Sequence, residues 1–125
     1  MNQQNMENKD IQRFDTNARM SHIVVHGGVA YLAGAVAADP SGDIVAQTRE
    51  TLADIERSLQ RVGSDKSRLL SAQIWLKDLA RDFDGMNGVW EAWVPAGHAP
   101  GRATCQAQMA SPDYLVEIIV TAAVA

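Results

Sequence analysis

The sequence predicts an α/β (α+β) domain: a single mixed β-sheet with two helices packed on one face, in the order β-β-α-β-α-β-β. Three observations predict it. Apolar residues recur at steps of three and four in two separate segments, the mark of amphipathic helices. Around those segments they alternate or cluster in short runs, as strands do. The pair Gly27-Gly28 and the turn "SPD" at 111–113 punctuate the two ends, which predicts a hairpin at each.

In chain order, residues 1–10 ("MNQQNMENKD") lack periodicity and read as a flexible tail, leaving 11–125 as one domain. "SHIVVHGGVAYLAGAVA" reads as two short strands about the glycine pair, and "DPSGD" at 39–43 as a loop. Thr48, Leu52, Ile55, Leu59 and Val62 then share one helix face, which Gly63 terminates; the charged "RETLADIER" stretch is its solvated side. "LLSAQIWL" is a strand whose greasier face carries Leu70, Ala72, Ile74 and Leu76. Phe83, Met86, Trp90 and Trp93 or Val94 resume helical spacing until Pro95 and Gly97, and strands over 102–109 and 115–124 close the chain. The three tryptophans read as core or interface aromatics. One helix layer leaves the other sheet face bare, yet "AQIW", "ATCQAQ" and "IIVTAAVA" are too apolar for it to be fully solvated. That face is expected to meet another copy of the chain in a homo-oligomer.

The 125 residues are 46% hydrophobic and 21% charged, which fits a soluble globular domain with a sizeable core. A net charge of -4 with no basic stripe argues against a nucleic-acid partner. No apolar run is long enough to span a membrane, and the polar N-terminus has no signal-peptide core. A lone cysteine, Cys105, fits a reducing compartment, so the expected location is cytoplasmic. His22 and His26 lie four residues apart on one strand, roughly 13 Å and too far to share an ion. With His98 the only other histidine, no metal is expected. No nucleotide-binding glycine motif and no CxxC occurs, and no cofactor is expected.

Only Arg102, Asp113 and Glu117 carry charge over residues 95–125. Asp113 belongs to the turn; the other two call for a reason. The planar fork of an arginine takes both oxygens of a carboxylate, and a carboxylate beside bound water can orient and deprotonate it. Arg102 and Glu117 are therefore the candidate catalytic residues, with an interface salt bridge as the structural alternative. If a hairpin turns near residue 112, the partner of Arg102 falls near 122–124. Glu117 is then five or six positions down the ladder, on the order of 15–20 Å. One chain cannot easily bring both to a small substrate; two subunits can. Asn87 and Cys105 are further substrate-binding candidates. Asn87 could equally bridge backbone within its helix. Cys105, by strand alternation, faces away from Arg102, and its alternative reading is a small buried hydrophobe.

Several pieces, in order, resemble the RidA/YjgF family: "VAYLAGAVA" with "DPSGD", "QTRETLADIERSL", "VGSDKSRLLSAQIWLKDL", "FDGMNGVWEAW", "PGRA" and "YLVEIIVTAA". The likeness covers roughly residues 18–125 and marks a divergent branch. It implies a chorismate-mutase-like fold, a homotrimer with sites between subunits, and cofactor-independent hydrolysis of reactive 2-imino acids to 2-keto acids and ammonia. The family's carboxylate-binding arginine falls on Arg102, its water-positioning glutamate on Glu117, and the asparagine of its second helix on Asn87. Three positions depart. Met20 stands where the family has a tyrosine, and Ala33 and Ala35 where it has serine and glutamine. A pocket so thinned of polar groups suits a larger or more apolar substrate.

The expected function is thus an enamine/imine deaminase acting on a small-molecule carboxylate such as 2-aminoacrylate or 2-iminobutyrate. The alternatives are a non-catalytic carboxylate-binding protein and a hydrolase or isomerase of a bulkier catabolic intermediate on the same trimeric fold.

Overall fold

Gly27 and Gly28, at φ 59° and 80°, turn β2 (Ile23–His26) back into β3 (Val29–Leu32). Both positions need a positive φ, which glycine adopts without penalty, so the first predicted hairpin is present, with His26 opposite Val29. The computed structural model describes residues 10–124. The tail expected over 1–10 lies outside the described residues apart from Asp10. A strand the sequence pattern does not reveal, β1 (Gln12–Phe14), pairs antiparallel with β2. Three residues reading "QRF" are too few to show an alternation.

Helix α1 (Ile44–Arg61) starts where the Asp43 carboxylate accepts from the Ala46 N–H at 2.9 Å. It stops at Gly63, φ 75°, where the N–H groups of Gly63 and Ser64 return to the carbonyls of Gln60 and Leu59. Thr48, Leu52, Ile55 and Leu59 are all buried, as their spacing predicts. A short 3-10 turn, Lys66–Arg68, leads into β4 (Leu69–Leu76). Ala72, Ile74 and Leu76 are buried there as expected, but Leu70 is 48% exposed and Leu69 takes its place. A register shift between Leu69 and Ser71 reverses the alternation at the start of the strand, since one extra residue moves a side chain to the other face. Helix α2 (Leu79–Trp93) is capped by Asp78 and buries Met86 and Trp90, while Phe83 remains partly exposed.

The last two strands correct the expected C-terminal hairpin. β5 (Gly101–Gln106) and β6 (Val116–Ala123) do not pair; the sheet order is β1-β2-β3-β6-β4-β5. β6 lies antiparallel between β3 and β4, and β5 lies parallel to β4 at the edge. Side-chain chemistry explains the order. "VEIIVTAA" is apolar enough to be enclosed by strands on both sides, whereas "GRATCQ" carries the polar groups tolerated at an edge. The unit β4-α2-β5 is a parallel crossover of the kind that puts its helix on one sheet face.

Alternate strand residues meet both helices in one core: Ala30 and Leu32 of β3, Ala72, Ile74 and Leu76 of β4, and Val116, Ile118, Val120 and Ala122 of β6. Each fully buried branched side chain there contributes about 1.5–3 kcal/mol. Among the described residues no helix covers the opposite face. It carries Tyr31, Trp75, Glu117, Ile119 and Thr121, none of them fully buried. Among the described residues no helix is long and apolar enough to cross a membrane.

Candidate functional site

The register of β4, β5 and β6 decides where the candidate residues face. Arg102 is level with Ala72 of β4, which is level with Val120 of β6; Ala72 and Val120 are buried beneath the helices. Arg102 therefore stands on the helix side of the edge strand. Its guanidinium carbon lies 5.6 Å from the ring centroid of Trp90, a cation–π contact that holds the fork beside α2. Trp90 is a core aromatic, as its spacing predicts, and also the platform for this arginine. Asn87 and Phe83 precede it by three and seven residues, on the same side of α2.

Thr104, two residues after Arg102, shares its face of β5 and is level with Ile74. The Thr104 hydroxyl and the Asn87 side-chain oxygen are both buried without a hydrogen-bond partner. The Asn87 oxygen thus accepts from no backbone N–H. Leu79, Ala80, Phe83, Asp84 and Thr104 enclose a depression of about 450 Å³ between α2 and β5. Arg102 has no ion-pair partner among the described residues.

Glu117 occupies the other side of the sheet. It is level with Trp75, which is level with Cys105. Its carboxyl pKa is raised above the ordinary carboxylate value by desolvation, and among the described residues no cation or hydrogen-bond donor offsets this. The neighbouring chain is the short extension after β3. The N–H of Ala35 donates to the Ile118 carbonyl at 2.9 Å, and the N–H of Ile118 to the Ala35 carbonyl at 3.0 Å. That bridge sets Gly34 directly against the Glu117 side chain. A β-carbon placed on Gly34 would be 3.0 Å from the Glu117 carboxyl carbon and 3.2 Å from Cγ.

Arg102 and Glu117 are thus separated by β4 and by three rows, about 14 Å, rather than by the longer ladder a hairpin implies. Opposite faces separate them more decisively than distance. Cys105 faces away from Arg102 as alternation predicts, but the buried reading is corrected: its side chain is exposed, because it sits on an edge strand and on the uncovered face. Met20, in the loop between β1 and β2, is 48% exposed, and Ala35 is buried. Among the described residues no group of three or more His, Cys, Asp or Glu could hold a metal ion. A larger groove, about 570 Å³, runs between α1 and α2 past Leu52, Val89 and Trp93, and none of the candidate residues lines it.

Sequence reasoning missed Gly34 and Gln47. Gln47 is fully buried, and its amide nitrogen donates to the carbonyls of Pro40, Gly42 and Asp113 at 3.0–3.1 Å. Its oxygen accepts from the Leu115 N–H at 2.9 Å, which ties the start of α1 to the segment entering β6. A glutamine among helix residues gives no signal of this; a glycine between two alanines just past a strand gives only a weak one.

Residues 10–124 match the model of the family described as Endoribonuclease L-PSP. The chain is 46% identical over 114 residues to the RutC family protein YoaB of Escherichia coli, covering 91% of this chain and 98% of that protein. It is 40% identical to a RutC family protein of Haemophilus ducreyi, covering 91% and 97%. Among solved structures, an uncharacterized protein from Pseudomonas aeruginosa superposes with a TM-score of 0.90 at 45% identity, over 93% of this chain and 100% of that one. A YjgF family member from Neisseria meningitidis superposes with a TM-score of 0.90 at 42% identity, over 94% and 98%.

Proposed function

The chain belongs to the Endoribonuclease L-PSP family, the YjgF/RidA group, and on that premise we propose that it is a cofactor-independent deaminase of 2-imino acids, working in the cytoplasm as a homotrimer. Arg102 holds the substrate carboxylate, Glu117 orients and deprotonates water, and Asn87 offers its free oxygen to the imine N–H. Water oxygen bonds to C2 while the C=N π pair moves to nitrogen. The tetrahedral intermediate then expels ammonia and leaves the 2-keto acid. Every atom comes from the imine and one water, so no redox partner is needed.

One observation carries this reading: within the chain neither charge is spent on the other. Among the described residues Arg102 presents an unpaired fork over Trp90, and Glu117 holds a partly desolvated carboxylate with no cation beside it. Because the two lie on opposite faces, a substrate touching both must sit between an Arg102 from one subunit and a Glu117 from the next. RNA cleavage, the activity in the family's description, is disfavoured by the net charge of -4.

The test generates 2-aminoacrylate and 2-iminobutyrate in situ with an amino-acid dehydratase and follows ammonia release. Acceleration by the protein that vanishes in Arg102→Ala supports the assignment; none from folded, oligomeric protein removes it. A bulkier substrate is the second reading, favoured by the apolar depression at Phe83 beside Thr104. Turnover of aromatic imino acids in preference to the small ones would select it.

A further inference from the structure

We infer that Gly34 is a positioning residue for Glu117: the space left by its missing side chain is where the Glu117 carboxylate lies. This deepens the proposed function and rests on Glu117 being the group that orients water. Glycine is often present because the backbone needs a positive φ, as at Gly27, Gly28, Gly63 and Gly97. Gly34 is not among those, so its backbone could carry a side chain. What a side chain there would meet is Glu117, whose carboxylate must move to admit it. A β-carbon there would overlap the Oε2 atom and press on the carboxyl carbon and Cγ of that single residue.

The geometry has two consequences for the carboxylate. The Gly34 backbone lies close against one side of the Glu117 side chain, with Trp75 its register neighbour on β4, and this limits the rotamers open to a side chain on an uncovered sheet face. Packing against Gly34 also removes water from the carboxylate, in keeping with its raised pKa. The bridge between Ala35 and Ile118 holds the glycine at the correct height, since Ile118 follows Glu117 directly. Orientation and proton affinity are the two properties a water-activating carboxylate needs.

The experiment follows the Glu117 carboxyl carbon by NMR through a pH titration, in wild type and in Gly34→Ala, with Glu117→Gln to assign the signal. Eviction by the alanine methyl is expected to lower the midpoint toward the ordinary carboxylate value. An unchanged midpoint and chemical shift would overturn the inference. This readout needs no turnover, so it separates the inference from the proposed activity, which the ammonia assay tests alone. In that assay Gly34→Ala lowers kcat by on the order of 10- to 100-fold with KM little changed, because the carboxylate anchor is untouched. If Gly34→Ala folds poorly, thermal melts of Glu117→Ala and of Gly34→Ala/Glu117→Ala decide. Equal melting of these two supports the seat, since the alanine then has nothing to strike. A double variant as unstable as Gly34→Ala alone would show that the glycine serves the backbone, and would overturn it.

Discussion

Arg102 and Glu117 stand on opposite faces of one sheet, with β4 between them and three rows of offset. Proximity in sequence, on consecutive strands, does not become proximity in space. Under the proposed function a site using both would take one from each of two subunits, which would make the activity divisible. Arg102→Ala and Glu117→Gln are each expected to be inactive alone. Co-assembled at equal amounts, they form some interfaces with both wild-type residues, and recover about a quarter of wild-type ammonia release if mixing is random. No recovery in oligomers shown to be mixed would place both residues of a working site in one chain.

Glu117 should cost the fold stability where it is charged. Burial raises its carboxyl pKa, so the folded chain keeps that proton to higher pH than the unfolded chain does. Stability then falls as pH rises from the ordinary carboxylate value through the folded one, and stays lowered above it. Glu117→Gln carries no charge to desolvate. It is expected to melt higher than wild type near neutrality and to converge with it in acid, while losing activity. A variant that melts lower at neutral pH would contradict the desolvated carboxylate.

Gln47 joins two loops to the start of the strand that carries Glu117. Gln47→Leu leaves the Leu115 N–H and the Asp113 carbonyl without their buried partner, at a cost of about 2–4 kcal/mol. The melting temperature should drop by roughly 10 °C or more. A shift of only a degree or two would mean that water replaces the amide at little cost.

Thr104 makes the opposite case. Its hydroxyl is buried and unpartnered, so it already bears the desolvation penalty without the bond. Thr104→Val keeps the shape and is expected to match wild type in denaturant or to exceed it by up to about 1 kcal/mol. A clear loss of stability would reveal a hydrogen bond in the assembled protein.

Local order was legible in the residues because its causes are local. The spacing of Thr48, Leu52, Ile55 and Leu59 selects a helix, Gly63 ends it, and Gly27-Gly28 closes a hairpin, each through contacts a few residues apart. The two unusual charges near the C-terminus were also visible, since an arginine and a glutamate stand out against apolar strands. The resemblance of the motifs to one family likewise lay in the sequence itself. Tertiary structure alone decided that β6 goes between β3 and β4, that a bulge exchanges Leu70 for Leu69 in the core, and that Cys105 is exposed on an edge. It alone set Gly34 against Glu117, residues 83 positions apart. Strand order is a competition among whole strands for partners and cover, and a bulge or a seat depends on which strand wins. Those energies are shared across the sheet, so no stretch of the chain holds them.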